Sequence, residues 1–388
     1  MRSTHRLLSA SAAIAATAAV TATLVATVPA DAGPAHRGHD GRTAFATPTV
    51  FGHRGAAGYR PEHTASGYRL GAQMGADYLE PDLVPTKDGQ LVDRHEPEIG
   101  GTTDVASHPE FANRKRTVTI DGVKTTGWFT FDFTLKELRR LRAVERIPAI
   151  RQHNTLYNGL DPVPTLQEDI DQVRALSKEY GRTIGIVPEI KHSTFFRSIG
   201  LPMEDRFLAI MKRNGLLAKH PKTPAVLQSF EVGNLQYVHR KAPDLPLVQL
   251  TSATGAPADF VASGDTRTYA DITSAAGLKQ VAKYATWLGP DKNQIVPRTS
   301  TNALGKPTRL IADSHRAGLK VVPYTFRNEN TFLPTNYQRG TNPADYGDAL
   351  AEDQLFYSLG IDGIFTDNPD TAVAARALWI AKGRPRTA

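Results

Sequence analysis

Cysteine is absent from all 388 residues. No disulfide can therefore brace the fold, no thiolate pair can hold zinc, and no lipid can be attached at an N-terminal Cys. Stability outside a cell then has to come from core size or from a bound ion. A concentrated basic surface is missing too: the densest run is Arg114-Lys115-Arg116, with no aromatic stripe interleaved, which is not the footprint of a nucleic-acid-binding protein. Nor does any His-x-x-x-His spacing suggest a zinc helix.

What is present is an ordinary globular balance, 40% hydrophobic and 22% charged, with a formal charge of +7. The first residues read as an export signal: Arg2 and Arg6, an Ala-rich apolar stretch from Leu7 to Val28, then Ala30-Asp31-Ala32 as a small-residue cleavage site. An uncleaved membrane anchor is the alternative, because the apolar stretch is long for a signal. The expectation is a signal peptide over residues 1–32, a secreted mature protein without a stable membrane anchor, and a flexible mature N-terminus over 33–47. Removing Arg2, Arg6 and Asp31 from the 46 basic and 39 acidic residues leaves a charge of about +6, which suits an anionic partner.

From residue 48 to about 380, strand-length apolar runs alternate with helix-period stretches, the signature of repeated βα units. "TPTVFG", "DYLEPDLV", "QLVDRHEP", "IGIVPEIK", "AVLQSF", "LPLVQL", a run near Ile295, "KVVPYTF" and "GIFTD" read as strands. Thr64 is a candidate helix N-cap with Gly75 as the stop, and Thr165 with Glu168 forms a capping box before a helix ending at Gly181. Roughly eight such units predict an α/β fold, a closed TIM (β/α)₈ barrel, with insertions over its C-terminal face at about 98–160 and 329–345. The first insertion carries the hairpin-like "TVTIDGVKTTGWFTF".

In such a barrel, polar residues at strand ends face the active site. These are His53 and Arg54 on the first strand, Glu80 and Asp82 on the second, His95 on the third, and Glu189 and Lys191 on the fourth. Glu80 and Asp82 stand two apart, so their side chains leave one face about 6.6 Å apart. Neighbouring carboxylates repel unless one takes a proton or a hard cation joins them, and Glu189 would add a third oxygen ligand suited to Ca²⁺ or Mg²⁺. His53 and His95 can exchange protons near neutral pH, and Arg54 and Lys191 can neutralise a phosphate. That combination describes a metal-dependent phosphodiesterase. His36-Arg37-Gly38 repeats the His53-Arg54-Gly55 tripeptide, but no strand precedes it to orient it. Tyr324, Phe326, Trp128, Phe129 and Gln228 are further candidates for pocket lining, with core packing the alternative for the aromatics.

Taken in order, "HRG" with "PEHT", "GADYLEPDLVPTKDGQLVDRHEPEI", "HNTLYNGLDPVPTLQE", "VPEIKHS", "LQSF", "PYTFR" and "DGIFTDNPD" resemble the glycerophosphodiester phosphodiesterase family, most of all its secreted or periplasmic bacterial branch. The resemblance spans about residues 48 to 375. It implies hydrolysis of glycerophosphodiesters such as glycerophosphocholine to sn-glycerol 3-phosphate and an alcohol. His53 and His95 would be the catalytic pair, and Glu80, Asp82 and Glu189 the ligands of a divalent cation, Ca²⁺ ahead of Mg²⁺. Arg54 and Lys191 would contact phosphate, and Glu62 would support substrate binding by pairing with Arg54. His63 stands where many members have Asn, and Arg94 where many have an apolar residue, departures that bear on substrate preference. Polymeric glycerol phosphate, as in teichoic acids, and phospholipase D-type lipid substrates are alternatives, and a non-catalytic glycerophosphodiester-binding protein is a third.

Overall fold

The structure is a computed structural model and describes residues 47–384. The predicted export segment, the first His-Arg-Gly copy and all but the last residue of the 33–47 segment lie outside it. Among the described residues no helix is long and apolar enough to cross a membrane.

Thirteen strands occur among the described residues: β1 Thr49–His53, β2 Tyr78–Glu80, β3 Asp82–Pro85, β4 Leu91–Asp93, β5 Arg116–Ile120, β6 Val123–Gly127, β7 Gly185–Ile186, β8 Glu189–Ile190, β9 Leu227–Ser229, β10 Leu247–Thr251, β11 Trp287–Pro290, β12 Lys320–Val321 and β13 Gly363–Thr366. One run, in parallel, is β13-β1-β2-β7, and a second is β12-β11-β10-β9-β8-β3. Pro81 divides β2 from β3 and Pro188 precedes β8, since neither can donate a ladder hydrogen bond. Each divided pair occupies one barrel position, giving eight.

Backbone hydrogen bonds join the two runs. Val187 N donates to Leu79 O at 2.9 Å and Glu189 N to Pro81 O at 2.8 Å, while Gln228 N reaches Pro188 O at 2.9 Å. At the other seam Asp362 N donates to Val321 O at 2.8 Å, Phe365 N to Pro323 O at 3.0 Å and Phe326 N to Phe365 O at 2.9 Å. The ring of parallel strands is thus complete, as expected of a TIM barrel.

Strand alternation sets what faces inward. Phe51, Val187, Val226, Val248, Leu250, Val322 and Phe365 form an inner core, separate from the larger apolar layer between strands and helices that takes Val50, Leu79, Leu83, Ile186 and Ile190. Phe51 stacks on Phe365 at 4.7 Å and on Tyr78 at 5.0 Å. Two residues beyond an inward side chain lies another. His53 follows Phe51, Glu80 follows Tyr78, Glu189 follows Val187 and Gln228 follows Val226, so the apolar plug continues upward into a polar mouth.

Two strand assignments change. The segment "QLVDRHEP" is not the third barrel strand: β4 runs antiparallel to β3, with Val84 opposite Val92 and Leu83 opposite Asp93. Only Thr86–Gln90 separate the two strands, far fewer than the dozen or so residues a parallel crossover needs, and Thr86 N closes the turn onto Gln90 O at 2.9 Å. The strand of Glu189 therefore directly neighbours that of Asp82, the two residues standing in register. The strand near Ile295 is Trp287–Pro290 instead, and Lys292–Ile295 is a helical turn begun by Asp291, whose side chain accepts from Asn293 N.

The helices begin where capping chemistry places them. Thr64 accepts from Gly67 N ahead of the helix Ala65–Gln73, and Thr165 with Glu168 makes a reciprocal capping box ahead of Leu166–Glu179. In the first insertion β5 and β6 form a hairpin turning on Asp121 and Gly122, with φ of 47° and 82°. Two left-handed residues in succession are what a tight hairpin turn demands, and glycine meets it without steric cost.

Candidate active site

The barrel mouth holds a cavity of about 540 Å³ lined by His53, Arg54, Glu80, His95, Glu189 and Gln228, among others. Five strand-end residues predicted from sequence thus face one space. His53 Nδ1 meets Asp367 Oδ1 at 2.5 Å, and His95 Nδ1 lies 3.1 Å from Glu96 Oε1. The hydrogen bond fixes the His53 ring, the His95 ring has a carboxylate close beside its Nδ1, and in both Nε2 is left for substrate. Burial, then the charge of Arg54, pushes His53 down to about 4 against the opposing pull of Asp367. Burial, Arg54 and Lys191 push His95 down to about 3. Both rings are consequently neutral and able to accept a proton at neutral pH.

Glu80, Asp82 and Glu189 converge with ligand oxygens within 4.8 Å of one another, all three buried. Their protonation shows the strain of three acids in one place. Burial and repulsion from Asp82 push Glu80 well above the usual carboxylate range, and the same two effects push Glu189 up to about 8 against Lys191. Burial opposes charge on Asp82 as well, but Lys191 and a hydrogen bond from His63 outweigh it and hold that group well below its ordinary value. Asp82 Oδ1 is buried and receives no hydrogen bond. An all-oxygen set with an unfilled buried acceptor fits a hard divalent cation. The triad is held from behind: Gln228 Nε2 donates to Glu80 Oε1 at 3.0 Å, Arg54 N to Glu80 Oε2 at 2.7 Å, and His63 Nε2 meets Asp82 Oδ2 at 2.9 Å.

Arg54, at φ 55°, His63, at φ 56°, and His192, at φ 48°, all adopt left-handed backbone. Such conformations persist in non-glycine residues where the surroundings over-determine them, as they do beside functional groups. Arg54 faces the cavity but also pairs with Glu62 at 2.8 Å and lies 3.4 Å from Asp82. Glu62 is not among the lining residues; it is buried, and takes Arg146 Nε at 2.9 Å in addition. Burial opposes its charge, but Arg54 and Arg146 hold its pKa below the usual range. Lys191 pairs with Glu189 at 3.0 Å and lines a neighbouring cavity of about 400 Å³.

Sequence reasoning passed over Asp367, which joins His53 to a buried charge cluster. Its Oδ2 accepts from Arg151 at 2.6 Å and from Arg327 at 2.7 Å, and Arg151 Nε also donates to Glu329 at 2.6 Å. Arg151 comes from the first insertion, which therefore contributes to the mouth of the barrel. Asp367 directly follows β13, the strand beside β1, so the strand-end rule that picked His53 applied to it as well. Of the other candidates, Tyr324 and Gln228 line the cavity, whereas Phe326 and Phe129 are buried in the core and Trp128 packs against it, donating to Phe111 O at 2.8 Å.

The parallel barrel thus gathers two imidazoles and three buried acids able to hold a hard cation at one polar mouth, the arrangement of an enzyme site for a charged small molecule. The family model described as the glycerophosphoryl diester phosphodiesterase family matches residues 53–371, and the chain belongs to that family. It is accordingly a phosphoric diester hydrolase acting on glycerophosphodiesters. The glycerophosphodiester phosphodiesterase GDPD6 of Arabidopsis thaliana is 38% identical over 82% of this chain and 83% of its own length. The glycerophosphodiester phosphodiesterase of Haemophilus influenzae is 30% identical over 84% and 88% respectively. Plant and bacterial relatives both match, so the family is established without singling out its bacterial branch. The fold is shared with the Oleispira antarctica phosphodiesterase solved in complex with the product sn-glycerol-3-phosphate (TM-score 0.55, 19% identity, 85% of this chain and 96% of that one).

Proposed function

We propose that the protein is an exported, divalent-cation-dependent enzyme that hydrolyses glycerophosphodiesters such as glycerophosphocholine to sn-glycerol 3-phosphate and an alcohol, with His53 and His95 as its proton-transfer pair. The observation that carries this reading is the pair of Nδ1-anchored imidazoles lining one cavity with Glu80 and Glu189. The product named in the Oleispira complex agrees with it. Export rests on the N-terminal sequence alone.

Glu80, Asp82 and Glu189 would hold the cation, a hard one because all three donors are oxygens, and Ca²⁺ in preference to Mg²⁺ because extracellular calcium is abundant. When bound, it supplies positive charge against the phosphoryl oxygens. Arg54 and Lys191 add to that charge from the protein. One imidazole takes the proton of the glycerol 2-hydroxyl through its Nε2 as the oxygen attacks phosphorus. The other, protonated as the anionic substrate enters, gives its proton to the departing alkoxide. The resulting cyclic glycerol phosphate is opened by water, with the two imidazoles exchanging roles. The carboxylates on Nδ1 stabilise whichever ring carries the extra proton.

A second reading is favoured by the far wall, where Lys292 and Arg298, which share Glu352, and Arg327, which pairs with Asp367, line the same cavity, three cations held by two carboxylates. Those cations suit an alcohol half that is itself anionic, as in polymeric glycerol phosphate. Phosphorus NMR of the reaction with glycerophosphocholine distinguishes the chemistry: glycerol phosphate is the expected product, preceded by a transient cyclic ester. Phosphocholine in its place would mean cleavage at the other ester bond and would overturn the mechanism.

A further inference from the structure

His95 lies beyond the end of β4, outside the parallel barrel that fixes His53, so its orientation needs another support. Glu96 provides the first contact, but that carboxylate is itself half exposed, and an untethered Glu side chain has considerable rotamer freedom to lose. Its second oxygen, Oε2, meets His192 Nε2 at 3.1 Å, and His192 Nδ1 meets Asp121 Oδ2 at 2.6 Å. Asp121 stands at the turn of the β5–β6 hairpin. The contacts therefore run from the tip of an inserted hairpin, through an imidazole beside Lys191, to the carboxylate that touches His95.

We propose that Asp121 and His192 are positioning residues: they hold Glu96 against His95 Nδ1 and so set the direction in which this imidazole presents Nε2 to the cavity. The proposal rests on the reading of His95 as a proton-transfer group. Charge along the chain alternates as it must for such a role. Burial works against charging His192, but its hydrogen bonds to Asp121 and Glu96 outweigh burial and raise it to about 9. At neutral pH both ring nitrogens then donate, one to each carboxylate. The left-handed backbone of His192, uncommon outside glycine, is held where it lets the ring reach both partners at once. A hairpin serving only as a cover would have no need of a charged tip residue bonded to the His95 loop.

The test is kinetic. Asp121→Ala and His192→Asn are compared with Glu96→Gln, each pair also combined, and Lys124→Ala on the exposed hairpin serves as control. The expected result is a kcat lowered about tenfold or more by each single change with KM within about twofold, because a misdirected imidazole is felt in proton transfer rather than in substrate binding. The combined variants should lose no more than the worse single change, since all three groups act through one contact. Lys124→Ala should match the parent. Unchanged kcat in Asp121→Ala, losses that add in the combined variants, or a raised KM with normal kcat would each overturn the tether. His95→Ala belongs in the same series: full activity there would remove the catalytic reading itself, whereas an inactive His95→Ala beside a fully active Asp121→Ala removes only the tether.

Discussion

Replacing Asp367 with Asn changes one atom and should disable His53. In the native site Oδ2 of Asp367 accepts from both Arg151 and Arg327, while Oδ1 faces His53 Nδ1. An Asn at this position has one oxygen to offer, and the two guanidiniums, which can only donate, claim it. The amide NH₂ is then turned to Nδ1 and donates to it. The proton of the neutral ring moves to Nε2, the nitrogen that has to accept one in whichever step His53 acts as base. Turnover should fall about 100-fold or more, the usual range for losing a general base. Stability should fall as well, because a carboxylate is removed from between two cations. Arg151 is 4% exposed but keeps Glu329, and Arg327 is 22% exposed and reaches water. The cost belongs near the lower end for breaking a buried pair, about 3 kcal/mol, within a total of roughly 5 to 15 kcal/mol. At roughly 2.1 cal/mol/K of unfolding entropy per residue, a domain of about 340 residues shifts by about 1.4 °C per kcal/mol, so Tm should fall by roughly 4 °C, with the protein still folded at 25 °C. Glycerophosphocholine turnover at 25 °C and thermal denaturation at neutral pH measure the two effects separately. A folded Asp367→Asn enzyme with kcat within about threefold of the parent would refute the tautomer argument.

His53→Ala and His95→Ala should each lower kcat at least about 100-fold with the circular dichroism spectrum unchanged, and near-normal turnover in either would remove that residue from the mechanism. Glu80→Gln should lose the rise in Tm that Ca²⁺ gives the parent, by the ligand-linkage relation, and a rise equal to the parent's would remove Glu80 from the ligand set. Acid should destabilise the fold through His53. Its pKa in the folded protein is lowered to about 4 from 6.5, so its contribution is intact above pH 6.5 and is lost as pH falls toward 4, by about 3 kcal/mol in all. Denaturant unfolding from pH 7 to pH 4 should therefore fall less steeply in His53→Asn than in the parent; parallel slopes would contradict the shift.

The barrel was legible because its signals are local. Alternation placed His53 two residues beyond Phe51 and Glu189 two beyond Val187, and the capping box at Thr165 and Glu168 marked a helix start directly. The β4 error had its own local warning, since "PTKDGQ" leaves no room for a crossover helix before Leu91. Other features depend on pairings that no window of sequence contains. His192 meets Asp121 and Glu96 across 71 and 96 positions, and His53 meets Asp367 across 314. The expected pairing of Arg54 with Glu62 is present at 2.8 Å; what the folded arrangement adds is Asp82 at 3.4 Å, so that the guanidinium is shared among two carboxylates and the cavity.

The most direct test of the central claim is release of glycerol 3-phosphate from glycerophosphocholine by the chain lacking residues 1–32, first stripped with a chelator and then supplied with Ca²⁺, Mg²⁺ or Zn²⁺. No release is expected from the stripped enzyme, recovery is expected with an oxygen-preferring cation, Ca²⁺ above Mg²⁺, and none in Asp82→Ala. Full activity after chelation, or recovery in Asp82→Ala equal to that of the parent, would contradict the assignment of Glu80, Asp82 and Glu189 as the seat of a catalytic cation.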